Sequence, residues 1–187
     1  MINENHNPWT IKGEKEIYEN KWIKVTEFDV LNPSGGEGIY GKVHFKNIAV
    51  GVLPLDDQLN TWLVGQYRFP LNEYSWEMPE GGGQLGVDPL ESVKRELLEE
   101  TGLVARDWKL ILRMHLSNSV SDELSLLYLA RGLEQKEAEP EETEQLMLRK
   151  VSFNELYDMV QQGKITDSMT VAATLKVKLM LINGEIS

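Results

Sequence analysis

The sequence predicts an α+β fold in which helices pack on a mixed sheet, and three observations lead to that reading. Strand-like and helical patterns interleave along the chain instead of segregating. The run from Ile48 to Leu55 is apolar enough to be a buried strand. The segment from Asp88 to Gly102 carries both the start and the stop signals of a helix.

Taken in order, Trp22 to Val30 mixes β-branched, aromatic and polar residues in rough alternation until Pro33-Ser34-Gly35-Gly36 breaks it. Ile39 to Phe45 reads as a second strand, so the N-terminal region forms a hairpin or small sheet. After the buried run, Asp56 to Asn60 is a turn and Thr61 to Tyr67 returns as a strand. Tyr74 to Met78 is a short strand that runs into a loop, Pro79-Glu80-Gly81-Gly82-Gly83.

The helix starts at Asp88, a favoured N-cap, with Pro89 in the first helical position and Glu91 placed as in a capping box. Gly102 ends it as a left-handed C-cap. Strands over Lys109 to Leu116 and Leu124 to Ala130 follow, joined by the polar loop Ser117 to Asp122. Glu134 to Glu144, rich in glutamate and holding Pro140, reads as a solvated connection. A strand near Leu146 to Val151 and helices near Asn154 to Gln162 and Ser168 to Leu181 complete the chain. No internal repeat and no linker-bounded second domain is visible.

The 187 residues, 41% of them hydrophobic, suffice for a proper core. A net charge of −11 argues against nucleic acid or an anionic membrane as partner, since both need clustered Lys and Arg. A phosphorylated small molecule remains compatible, provided divalent cations bridge the like charges. The absence of cysteine removes disulfides, thiolate nucleophiles and cysteine-ligated zinc, and suits a reducing cytoplasm. The first twenty residues have neither a basic nor an apolar signal region, and no apolar stretch is long enough to span a bilayer. A cytoplasmic location is therefore expected.

Glu96, Glu99 and Glu100 stand at i, i+3 and i+4 on the helix, so their carboxylates share one face. Leu90, Val93 and Leu97 form the adjoining apolar stripe, which places the acids at the edge of the buried side. Like charges so spaced repel, and Arg95 offsets only part of that. Hard oxygen ligands converging on one point suit Mg²⁺ or Mn²⁺. The bland alternative is an acidic surface helix, and spacing alone does not choose between the two. The glycine-rich loop adds some weight to the metal reading, because it lets backbone approach a ligand and could offer a carbonyl as a further metal ligand, although surface turns often carry such glycines.

From Gly81 to Leu103 the chain resembles the Nudix box: Gly, five residues, Glu, seven residues, then Arg-Glu-aliphatic-X-Glu-Glu-X-Gly-aliphatic. Gly81 and Arg95-Glu96-Leu97-Leu98-Glu99-Glu100-Thr101-Gly102-Leu103 stand in register. One position departs, since the first box Glu is Val87 here. In the family that residue braces the loop against the box arginine. Gln66-Tyr67-Arg68 followed by Trp76-Glu77-Met78-Pro79-Glu80-Gly81 is similar to the segment leading into the box of ADP-ribose and nucleoside-diphosphate-sugar pyrophosphatases.

The resemblance implies an α/β/α sandwich, with residues 1–46 an N-terminal β element that dimerises and 47–187 the catalytic domain. It implies Mg²⁺ (with Mn²⁺ as substitute) on Glu96, Glu99, Glu100 and the Glu80 backbone carbonyl. Arg68 would face substrate phosphate or ribose, with Glu77 beside the metals. Ser121-Asp122-Glu123 resembles a loop carrying a glutamate that acts as base or further ligand, a role expected of Glu123. Glu99 and Arg95 complete the catalytic set.

Trp22, with Tyr18 and Phe28, is a candidate for stacking on a nucleobase, against the alternative that these are core or interface aromatics. His44 and His115 read as structural. Many ADP-ribose pyrophosphatases carry proline sixteen residues beyond the box glycine; Asn118 stands there, which favours a nucleotide sugar such as GDP-mannose. The expected reaction is Mg²⁺-dependent hydrolysis of the diphosphate in a nucleoside diphosphate sugar, ADP-ribose or a nucleotide sugar such as GDP-mannose, giving a nucleoside monophosphate and a sugar phosphate. Two rivals remain at this point: a housecleaning hydrolase of nucleoside triphosphates or dinucleoside polyphosphates, and a non-catalytic nucleotide-sugar sensor.

Overall fold

The computed structural model describes residues 4, 6–136 and 146–187. The chain divides into two compact units, Met1–Asn47 with Ser117–Glu123, and Ile48–Leu116 with Leu124–Ser187.

The first unit is an antiparallel sheet in the order β1-β2-β3, formed by β1 (Thr10–Glu19), β2 (Ile23–Leu31) and β3 (Glu37–Phe45). The β2–β3 pair follows the expected hairpin, with Gly35 at φ 85° in the turn that breaks it. Strand β1 had no counterpart in the sequence reading. Its residues are almost all exposed, so no buried face imposes an apolar alternation on a segment rich in Lys and Glu. The loop Ser117–Glu123 belongs to this unit and is bonded to β3: Val43 N–H donates to Val120 O (2.8 Å) and Phe45 N–H to Asp122 Oδ1 (3.0 Å).

The second unit holds a mixed sheet in the order β7-β4-β9-β8, with β4 (Asn47–Pro54), β7 (Glu80–Gln84), β8 (Leu103–His115) and β9 (Leu124–Gln135). β4 runs parallel to β9, and β8 antiparallel to β9. A second sheet, in the order β10-β5-β6, joins β10 (Met147–Ser152), β5 (Asn60–Arg68) and β6 (Glu73–Glu77). The helices are α1 (Pro89–Thr101), α2 (Phe153–Gln161) and α3 (Ser168–Ile182).

Alternation along β4 and β9 explains why helices cover both faces of the mixed sheet. Val50, Val52, Tyr128 and Ala130 pack with Val93 and Leu97 of α1, while Leu53, Leu127 and Leu129 pack with Leu156 of α2 and Ala173 and Val177 of α3. A strand buried on both faces needs apolar residues at successive positions, which is why Ile48 to Leu55 shows no polar alternation. No helix among the described residues is long and apolar enough to cross a membrane.

Three expectations need correction. The segment Glu80–Gln84 is strand β7 and not only a loop, because its glycine backbone pairs in the sheet. The capping box does not close: Asp88 caps Leu90 N–H at 3.0 Å, and Glu91 instead accepts from Lys94 at 2.7 Å. β8 and β9 extend beyond their predicted lengths, and Glu134 lies in β9, in the stretch read as a connection. The rest of that stretch, residues 137–145, lies outside the described residues.

Candidate active site

The site in the second unit is built where the chain crosses from one sheet to the other. β6 ends at Glu77, β7 begins at Glu80, and Met78-Pro79 is the crossover. Helix α1 follows at once, stopped by Gly102 in the left-handed conformation (φ 71°) with its N–H on Leu98 O. This connection keeps the box glutamates next to the glycine strand.

Glu96 and Glu100 are each only 9% exposed, on the same side of α1 as the buried Val93 and Leu97. Glu99 lies further out. The Glu80 N–H donates to Glu100 Oε2 at 3.1 Å. Gly81 lies directly against the Glu96 carboxyl, so close that no side chain fits between them. Arg95 pairs with Glu96 and Glu99, and its Nη2 also reaches Gly82 O at 3.3 Å. The box arginine therefore holds the loop through a backbone carbonyl, while Val87 stands 44% exposed where the family's bracing Glu would be.

A second group of acids meets the first at Glu80. Glu77, Glu80 and Asp167 each present a carboxylate oxygen, all within 4.8 Å of one another. Arg68 opposes them, donating through Nε to Glu77 at 2.9 and 3.0 Å and through Nη2 to Glu77 and to Glu80 at 3.1 Å. Glu77 is 3% exposed, and the Arg68 guanidinium donates to both of its carboxylate oxygens, which offsets the cost of burying them. That pairing raises the Arg68 pKa further. Burial pushes the Glu80 carboxyl well above the usual carboxylate range, and the charges of Asp167 and Glu77 add to the shift. These side chains border a cavity of about 380 Å³ that Thr166 and Ser168 also line.

The donor set fits a divalent cation. Glu80 Oε2 is buried with no hydrogen-bond partner among the described residues. Glu77, Glu80, Glu96, Glu99, Glu100 and Asp167 set six carboxylates against the guanidiniums of Arg68 and Arg95. Buried carboxylates that protein cations only partly neutralise are hard-ion ligands.

Asp167 and the Glu80 side chain were missed by the sequence reading. Asp167 is the N-cap of α3, accepting from Thr170 N–H at 2.6 Å. A helix near Ser168 was expected, but nothing in a separation of 87 residues places the residue before it beside Glu80.

The first unit holds the other two predicted residues. Trp22 sits in the β1–β2 turn, 57% exposed, with the Lys21 ammonium 4.1 Å from its ring centre. Glu123 ends the loop on β3, and burial raises its carboxyl pKa. Its neighbour Asp122 accepts from Lys42 (2.8 Å), His44 (2.7 Å) and Phe45 N–H (3.0 Å). Phe28 lines a cavity of about 430 Å³ in this unit together with Trp9, Tyr40, Lys42 and Asn118. Tyr18 and Trp22 are not among its lining residues.

Comparison with known proteins agrees with the box. Residues 45–169 match the NUDIX domain, and residues 9–43 match the nucleoside diphosphate sugar hydrolase N-terminal domain. The chain is 32% identical over 172 residues to the methanol dehydrogenase activator of Bacillus methanolicus, covering 91% of this chain and 92% of that one. It is 28% identical over 169 residues to an ADP-ribose pyrophosphatase of Bacillus subtilis, covering 89% and 91%. The crystal structure of an ADP compounds hydrolase superposes with a TM-score of 0.85 at 19% identity, covering 98% of this chain and all of that one, and shows the same fold. The chain belongs to the Nudix hydrolase family, as a pyrophosphatase with a nucleoside-diphosphate-sugar-hydrolase N-terminal domain.

Proposed function

We propose that the protein hydrolyses the diphosphate linkage of a nucleoside diphosphate sugar, ADP-ribose or a nucleotide sugar such as GDP-mannose. The reading rests chiefly on one observation: Gly81 and Glu80 N–H lie against the carboxylates of Glu96 and Glu100, so loop backbone and helical acids converge on one point. The N-terminal match and the likeness to an ADP-ribose pyrophosphatase support the substrate class.

In this reading Glu96, Glu99, Glu100 and the Glu80 carbonyl hold Mg²⁺ or Mn²⁺. Bound there, such a cation would offset the charge of the diphosphate and lower the pKa of a water, so that its deprotonated form is the nucleophile at phosphorus. Arg95 keeps Glu96 and Glu99 oriented and ties them to Gly82. Arg68, placed by Glu77, presents its guanidinium to substrate phosphate or ribose. Glu123 accepts the proton of the attacking water; burial raises its pKa towards the range in which a carboxylate serves as general base. Trp22, exposed in its turn, is the candidate for base stacking. The active species is a homodimer formed through the N-terminal β element, in the cytoplasm.

Product release from ADP-ribose, GDP-mannose, UDP-glucose, dinucleoside polyphosphates and nucleoside triphosphates, with and without Mg²⁺, tests the proposal. Mg²⁺-dependent formation of a nucleoside monophosphate and a sugar phosphate is expected. Turnover of none of these compounds would refute it, and full activity in Glu100→Gln would refute the metal assignment.

A further inference from the structure

We infer that Thr170 is a positioning residue: its buried hydroxyl, from the first turn of α3, sets the loop backbone that supplies the Glu80 carbonyl. The inference rests on the reading of Glu80 as a metal ligand and identifies what holds it in place.

The crossover Met78-Pro79 lies between two sheets, and its one amide, that of Met78, bonds to a side chain and not to a strand. The β5–β6 register ends at Val64↔Glu77, so Met78 N–H is the first amide beyond it. Met78 is 1% exposed, and Pro79 has no N–H to offer. A buried amide without a partner is costly, so this one needs an acceptor from elsewhere in the fold. Thr170 Oγ1 supplies it at 2.9 Å across 92 residues of sequence. Two further bonds fix the same short segment: Val52 N–H donates to Pro79 O at 2.9 Å, and Glu80 N–H to Glu100 Oε2 at 3.1 Å. The loop is thus held by β4, by α1 and by α3.

Thr170 is itself fixed. It is fully buried, and its N–H is capped by Asp167 Oδ2 at 2.6 Å. Because Asp167 also belongs to the acidic group with Glu77 and Glu80, the first turn of α3 delivers both a carboxylate and the loop's anchor. One turn further along the same helix, Thr174 is equally buried, and its Oγ1 has no hydrogen-bond partner among the described residues. The two threonines match in type, helix and burial and differ in this bond.

The test compares Thr170→Val, Thr170→Ser and Thr174→Val in the full chain, with Mn²⁺ binding followed by electron paramagnetic resonance as the readout. Thr170→Val is expected to weaken Mn²⁺ binding about tenfold, the scale of one lost buried hydrogen bond. Thr170→Ser, which keeps the hydroxyl, should stay within about twofold of the parent, and Thr174→Val should match it. Equal Mn²⁺ affinity in Thr170→Val and Thr174→Val would overturn the inference. Should Thr170→Val not fold, hydrogen exchange at the Met78 amide of the unaltered protein decides. Slow exchange, comparable with core strands, supports the bond, and exchange at the rate of an open loop overturns it. Failure of the proposed function looks different: the unaltered protein would then turn over no diphosphate substrate, whatever the Met78 amide does.

Discussion

Gly81 and Glu96 are in contact so close that a β-carbon on Gly81 would stand 2.3 Å from the Glu96 carboxyl carbon. The flanking atoms are no more forgiving, with both carboxylate oxygens within 2.6 Å of that point. The glycine is required by what lies opposite it. Its φ does not fall among the positive values that would make backbone strain the reason.

Gly81→Ala should therefore displace Glu96 while leaving the fold intact. A shift of about 1 Å in a metal-holding carboxylate is expected to cost on the order of 100-fold in kcat/KM. The check is steady-state kinetics with thermal unfolding run in parallel. A Gly81→Ala protein as active as the parent would show that Glu96 has no catalytic part.

Arg68→Ala leaves Glu77 almost fully buried with its guanidinium partner removed. Loss of one member of a buried pair is severe, and the partial exposure of Arg68 moderates it to about 2–3 kcal/mol. Urea unfolding should show that loss, and Arg68→Ala/Glu77→Met should recover part of it. A double variant no more stable than Arg68→Ala would mean that the unpaired charge is not the cause.

The Glu80 carboxyl, raised by burial and by Asp167 and Glu77, makes stability depend on pH in a definite direction. Below its unfolded pKa the group is protonated in both states and costs nothing. As pH rises from the unfolded towards the higher folded value, the unfolded chain ionises while the folded one keeps its proton, so stability falls; above the folded value the folded chain holds the carboxylate at its full cost. Glu80→Gln should therefore raise the melting temperature at pH 8 in chelator, with the gain fading as pH approaches 4. It leaves the backbone carbonyl in place. A Gln variant less stable than the parent at pH 8 would contradict this account.

Asp122 behaves in the opposite sense. Burial alone would raise its pKa, but bonds from Lys42, His44 and Phe45 N–H outweigh that and lower it to about 2, from 3.8. Its contribution, roughly 1–2 kcal/mol, is present above pH 4 and is lost as pH falls towards 2. Asp122→Asn should flatten that acid limb. Because Asp122 anchors the loop carrying Glu123, the variant should also lower kcat roughly tenfold, with Mn²⁺ affinity unchanged. An unaltered kcat would separate the loop from catalysis.

Much of the site was legible because its signal is local. Glu96, Glu99 and Glu100 share a face by helical period, and Val93 and Leu97 beside them fix which side is buried. Gly102 is a left-handed cap because the helix must end there. Strand β1 was illegible because exposed Lys and Glu carry no alternation, and the expected capping box gives way to an ion pair of Glu91 with Lys94.

Local pattern accounts for most of the α+β order of elements, for the acidic helix face and for the glycine-rich segment that leads into it. All of these follow from residues within a few positions of one another. Tertiary structure alone decided that Asp167 joins Glu77 and Glu80, and that Thr170 receives the Met78 amide from 92 residues away. The physical reason is that a crossover between two sheets leaves backbone groups outside either ladder. Which distant side chain satisfies them depends on how α3 packs against the sheet, and no local pattern records that packing.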